Sequence, residues 1–150
     1  MSDARSQAWG RAIHLLARRE HSRQELARKV NREQSLSSEA LDNLLDELEA
    51  AGYLSDQRYA EMLVRSSAAR GQGPVKIQYA LRDKGVDKVL AEAALAAAET
   101  DWLASARYQR EKKFGETLPQ DPKERARQYR FLAGRGFSIA TINAVFHEKC

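Results

Sequence analysis

Cysteine occurs once, as Cys150, so the chain cannot close an internal disulfide. Three prolines and eight glycines are too few for a loop-rich or repetitive fibrous chain. No apolar run approaches the roughly 20 residues needed to cross a bilayer. The segment from Met1 to Gly10 is polar and has no signal-peptide apolar core, so a cytoplasmic location and no membrane association are expected. The three histidines, His14, His21 and His147, are scattered, and none stands at metal-binding spacing from a cysteine pair. His147 and Cys150 lie three apart, but at the chain end they read as a tail rather than a ligand pair. His14 reads as a structural residue beside the core stripe of the first helix. Gly71-Gln72-Gly73 lacks the lysine and the preceding strand of a phosphate loop. The serines have no triad setting, and neighbouring carboxylates such as Asp46 and Glu47 face apart on a helix. These absences point away from an enzyme and from any cofactor or metal.

What is present is a charged, helix-forming sequence of 150 residues, 43% hydrophobic and 31% charged. Alanine, leucine, arginine, lysine, glutamate and glutamine dominate, all good helix formers. The net charge is +4 and the pI about 9.3. The excess lies late in the chain: residues 1–50 carry eight basic and nine acidic side chains, residues 51–100 seven and six, residues 101–150 ten and six. An acidic or phosphate-bearing partner would suit this distribution.

Start and stop signals recur along the chain and predict nine helices. Trp9, Ala12, Ile13 and Leu16 mark the apolar face of the first. Ser22-Arg23-Gln24-Glu25 reads as a capping box for the second. Leu41, Leu44, Leu45 and Leu48 carry the third, which should stop at Gly52. Asp56 is the expected N-cap of the fourth, buried through Tyr59, Met62 and Leu63. Gly71-Gln72-Gly73-Pro74 breaks the chain, and Pro74 opens the fifth, with Ile77 and Leu81 inside and Gly85 at its end. Asp87 should cap the sixth, with Val89, Leu90, Ala93 and Ala97 along it. Asp101 starts the seventh, which ends near Gly115. Asp121-Pro122-Lys123-Glu124 looks like the strongest start of all, opening the eighth through Tyr129, Leu132 and Ala133 to Gly134–Gly136. Ser138 caps the ninth, with Ile139, Ile142 and Phe146 expected inside. No segment alternates with period two over strand length.

The helices group in threes. Leu81-Arg82-Asp83-Lys84-Gly85-Val86-Asp87 is echoed 51 residues later by Leu132-Ala133-Gly134-Arg135-Gly136-Phe137-Ser138. Each has a leucine, two residues, a base, glycine, an apolar residue and an N-cap. A poorer copy, without the glycine, lies at Leu26-Ala27-Arg28-Lys29-Val30. The base can sit near the negative end of the helix dipole, and glycine turns the corner. The expected architecture is all-α: three tandem three-helix repeats, helix-turn-helix-like, over 1–54, 55–99 and 100–150, forming an elongated curved array.

From Gly52-Tyr53-Leu54 and Asp56-Gln57-Arg58-Tyr59-Ala60 onward, an ordered string follows: Val64-Arg65, Arg70-Gly71, Gly73-Pro74, Lys76-Ile77, then Leu81 to Val86 with Lys84-Gly85. It resembles the central signature of the RecX family. Tyr129-Arg130-Phe131-Leu132 and Arg135-Gly136-Phe137-Ser138 resemble that family's third-repeat signature. The resemblance runs from about Trp9 to His147. It departs at Ala80, where the family often has glutamate, and the N-terminal repeat is looser. A monomer is expected, and the resemblance implies a regulator that binds the RecA recombinase, especially as a filament on single-stranded DNA. It also implies suppression of strand exchange, ATP hydrolysis and co-protease function.

On that expectation the contacts are basic. Lys123, Arg127 and Arg130 fall at i, i+4 and i+7 on one stripe of the eighth helix, while Arg65, Arg70, Lys76, Arg82 and Lys84 crowd the middle repeat and Arg135 sits in the last turn motif. Arg58 is expected to pair locally with Glu61 or fold over the core. Tyr59, Tyr79, Tyr129 and Phe137 invite a base-stacking reading, but burial suits them better. The runner-up function is a module binding single- or double-stranded DNA nonspecifically. A helical adaptor for another acidic protein is a third.

Overall fold

A computed structural model describes residues 3–147. Among them the chain forms nine α-helices and no strand: α1 (Asp3–Arg18), α2 (Arg23–Gln34), α3 (Ser38–Ala50), α4 (Asp56–Ala69), α5 (Pro74–Asp83), α6 (Lys88–Ala97), α7 (Trp102–Phe114), α8 (Pro122–Arg135) and α9 (Ile139–Phe146).

Local chemistry explains most boundaries. The side chains of Ser22, Ser37, Asp101 and Ser138 accept the amides of Glu25, Ala40, Ala104 and Thr141 at 3.1, 3.1, 3.0 and 3.2 Å. Each satisfies an amide that the first helical turn leaves without a partner. Gly85 and Gly136 turn left-handed (φ +79° and +98°). The two echoed motifs then close the same way. Val86 N donates to Leu81 O at 3.0 Å, and Phe137 N to Leu132 O at 3.2 Å. The leucines are fully buried, and Val86 and Phe137 nearly so. The repeat inferred from spacing is therefore a repeat in hydrogen bonding and burial.

Several expectations are corrected. Ser55, not Asp56, caps α4: its Oγ accepts from Arg58 N at 3.1 Å, while Asp56 Oδ1 accepts from Arg23 N at 2.7 Å. Asp121 makes no side-chain cap bond, and α8 opens on Pro122, whose missing N–H would have had no helical partner. Ser22 closes only half of the expected box, since the Glu25 carboxylate turns to Arg19 instead. The poor copy Leu26–Val30 lies within α2 and makes no turn, because no glycine ends the helix there. In α6 the buried side chains are Ala91 and Ala94, while Val89 is 70% exposed. An alanine-rich helix has too little polar contrast to show its phase. Ile139 is also exposed, since side chains in a first turn lean back past the helix start. His14 is exposed on α1. Tyr79 joins Val75 on the exposed face of α5, opposite the buried Ile77 and Leu81, so only Tyr59 and Phe137 of the four aromatics are buried.

The chain falls into two compact units. One comprises α1 to α3, the start of α4 and Leu81–Ala91. Its core is Ala8, Ala12, Leu26, Val30, Leu44, Leu45 and Leu48, with Trp9 and Ile13 packed against it. The other comprises Leu63–Ala80 and the chain from Glu92 onward. Its core holds Ala106, Leu132, Phe137, Ile142, Val145 and Phe146, with Trp102 and Tyr129 alongside. The helices of the middle three-helix repeat, α4 to α6, each pass from one unit into the other.

Candidate functional site

In the unit containing α7 to α9, the glycine turns of two repeats meet. Gly73 N donates to Arg135 O at 2.8 Å, and Val75 N to Gly136 O at 2.9 Å. A Cβ on Gly73 would stand 2.5 Å from the Gly136 carbonyl carbon, and one on Gly136 would run into the Lys76 side chain. Glycine is required here by close backbone approach as well as by turn geometry. The seating brings Lys76 and Arg135 to one corner. Arg135 Nη2 donates to Gln109 Oε1 at 2.8 Å, and the Gln109 side chain lies against Gly71. Arg70 flanks the corner and donates to Ser67 Oγ at 3.3 Å.

A buried arginine fixes the approach to α8. Arg110 is 2% exposed and donates to Glu116 O at 3.0 Å, Thr117 O at 3.5 Å and Gln128 Oε1 at 3.2 Å. It ties the α7–α8 loop to α8, using donors that would be costly to bury unmatched. On α8, Lys123, Arg127 and Arg130 are all exposed on the face away from Leu132. Arg127 grips Glu124 through two bonds of 2.9 Å and lies 4.9 Å from the Phe114 ring. That bond holds the Glu124 carboxyl below its ordinary range, helped by Gln128, and raises Arg127. Phe114 meets Phe131 edge to face at 5.4 Å. Lys113 and Arg135 approach Phe131 at 5.2 and 5.6 Å.

Arg65, Arg70, Lys76, Lys123, Arg127, Arg130 and Arg135 belong to this unit; Arg82 and Lys84 belong to the other. Arg65 and Arg82 are exposed. Lys84 is drawn toward Glu25, with Nζ 3.9 Å from its carboxylate, and its carbonyl accepts from Ser22 Oγ at 2.7 Å. Arg135 is half-buried, so it is partly committed to the fold. Arg58 pairs neither with Glu61 nor over the core. It donates to Glu20 Oε2 at 2.9 Å and Gly52 O at 2.8 Å, while Gln57 reaches Glu61. Sequence reasoning missed Arg110, Phe114 and Lys113. An arginine in a charged helix reads as solvated, and only the folded loop carbonyls show otherwise. The aromatic–basic alternation around Phe114 was the one available signal. Among the described residues no three His, Cys, Asp or Glu side chains gather as metal ligands, and no helix is long and apolar enough to cross a membrane. The His147–Cys150 pairing lies outside the described residues.

The model for the second three-helix domain of RecX matches residues 55–95, and that for the third matches 99–146. The regulatory protein RecX of Halorhodospira halophila is 44% identical over 133 residues, covering 89% of this chain and 82% of that protein. The chain belongs to the RecX family. The regulatory protein RecX of Pseudomonas entomophila is 42% identical over 138 residues, covering 92% and 88% of the two chains. The crystal structure of RecX from Lactobacillus salivarius superposes with a TM-score of 0.82 at 23% identity, over 97% of this chain and 96% of that one. That likeness extends the RecX fold of tandem three-helix units over the chain. The relatives named here are regulatory proteins.

Proposed function

We propose that this RecX family member binds RecA recombinase filaments and inhibits their strand exchange, ATPase and co-protease activities, without catalysis of its own. The exposed cationic stripe Lys123, Arg127 and Arg130 on α8 carries the reading, since a filament of protein and single-stranded DNA offers acidic groups and phosphates to meet it. Arg65, Arg70, Lys76, Arg82, Lys84 and Arg135 supply further contacts, more weakly for the half-buried Lys84 and Arg135. Several modest contacts on one polymer act together, and inhibition follows if the filament state they favour is not the active one. The modules would be residues 1–54, 55–99 and 100–150, acting in the cytoplasm as a monomer.

Cosedimentation with recombinase filaments, paired with their ATP turnover, tests this. The parent should pellet with filaments and slow turnover below stoichiometric amounts. Replacing Lys123, Arg127 and Arg130 with alanine should weaken both effects by about tenfold, at ~0.5 kcal/mol for each exposed charge contact, with helix content unchanged. Equal inhibition by the triple variant would remove the stripe from the interface. A second reading, nonspecific DNA binding, is favoured by the Phe114–Phe131 ring pair with Lys113, Arg127 and Arg135 around it, a suitable surface for unpaired bases. Comparing bare DNA with coated filament at moderate salt separates the two.

A further inference from the structure

The unit built on α1 to α3 holds a cavity that the filament-binding reading does not use. Arg11, Leu15, Arg18, Arg19, His21 and Lys29 line it, and its volume is about 360 Å³, within the range of small-ligand sites. Four of the six lining side chains are permanent cations, against few carboxylates. Glu25, nearly buried, is shared among Arg19 at 2.6 Å, Lys29 at 3.7 Å and Lys84 at 3.9 Å. Glu33, half-exposed, stands 3.3 Å from Arg11 Nε. That nitrogen is closed off from solvent and makes no hydrogen bond. Arg18 is exposed, and among the described residues no carboxylate pairs with it. The cavity therefore has more positive charge than its own carboxylates balance.

We propose that this cavity is a binding site for a phosphate group. Guanidinium groups present paired N–H donors matched to phosphate oxygens, and the Lys29 ammonium adds a point charge. Leu15 gives the wall an apolar patch for whatever carries the phosphate. His21 sits at the back, 2% exposed. Its Nδ1 lies 3.1 Å from Arg19 O and its Nε2 3.1 Å from Lys29 Nζ. The arrangement fits a neutral ring, with Nδ1–H donating to the carbonyl and Nε2 accepting from the ammonium. A bound phosphate would draw Lys29 toward itself and disturb that bond, so the His21 ring reports occupancy.

The phosphate can come from two sources, free phosphate or the backbone of a nucleic acid. Two titrations of the full chain distinguish them: inorganic phosphate, and a single-stranded thymidine oligonucleotide. Both are run at constant ionic strength held with sodium chloride, following the His21 ring by NMR. Free phosphate should move the His21 signals saturably where chloride does not. The variant Arg18→Gln should weaken binding by about tenfold, the typical loss for a charge-assisted hydrogen bond. Arg18 holds up no other group, so the variant should fold like the parent. Lys88→Gln, exposed and outside the cavity, should bind like the parent. A response to the oligonucleotide alone, with the same Arg18 dependence, would keep the site and assign its phosphate to nucleic acid. No response of His21 to either ligand, or an Arg18→Gln variant that binds as tightly as the parent, overturns the proposal.

Discussion

Glu25 shows how one side chain is set by residues far along the chain. Burial pushes its carboxyl up, but the Arg19 hydrogen bond and the charges of Arg19, His21 and Lys29 outweigh it and hold it at about 2. Burial lowers His21 from its ordinary value, against the backbone bond to Arg19 O. Both shifts disfavour proton uptake by the folded state. Above pH 4.5 Glu25 is ionised whether folded or unfolded, and its contribution of about 3 kcal/mol is fully present. Between pH 4.5 and 2 the unfolded chain takes the proton first, and that stability is lost. Urea unfolding at pH 6 and pH 3 should show the parent losing clearly more stability than Glu25→Gln; equal losses would mean the clamp contributes nothing. Gly136 is set by the backbone instead. Gly136→Ala places a side chain at φ +98° and against Lys76, and should cost about 2 kcal/mol or more in the same measurement.

At the scale of an element, the two helices α8 and α9 start differently although their sequences promise similar caps. Ser138 Oγ bonds both Thr141 N and Thr141 Oγ1. Asp121 bonds no amide, and α8 relies on Pro122. Ser138→Ala should therefore cost about 1 kcal/mol, and Asp121→Ala only a few tenths, through the helix dipole. Thermal unfolding of the two variants checks this, and a reversed order would show that Asp121 caps after all. α8 owes its position to the Arg110–Gln128 bond and to Leu132, so the exposed stripe is carried on an element anchored from its opposite face. This separation is what allows the triple alanine variant to lose its partner without losing its fold.

For the whole molecule, the continuity of α4, α5 and α6 matters most. Each runs from one compact unit into the other. Unfolding one unit alone would have to interrupt three helices in mid-course, against their cooperativity. The two tryptophans lie one in each unit: Trp9 meets Tyr53 edge to face at 6.2 Å, and Trp102 packs on the α7–α9 core. Trp9→Phe and Trp102→Phe variants each leave a single emitter. Their urea transitions, followed by fluorescence, should coincide with each other and with the loss of helical circular dichroism. Separate midpoints would show that the units melt independently.

The helices, their boundaries and the motif repeated between Leu81 and Leu132 were legible in the sequence, because caps, glycines and apolar spacing act on the backbone within a few residues. The cationic stripe of α8 was legible for the same reason: helical spacing alone puts its three side chains on one face. The phase of α6 was not, since alanine on every side leaves no contrast. Nor were the surroundings of the charged groups. Ser22 meets the Lys84 carbonyl across 62 residues, Gly73 seats on Gly136, and Arg110 disappears beneath a loop. A cation reads alike in sequence whether it faces water, a carboxylate or an empty cavity. Those neighbours come from distant segments, so only tertiary packing decided which bases are tied up by the fold and which remain free to bind.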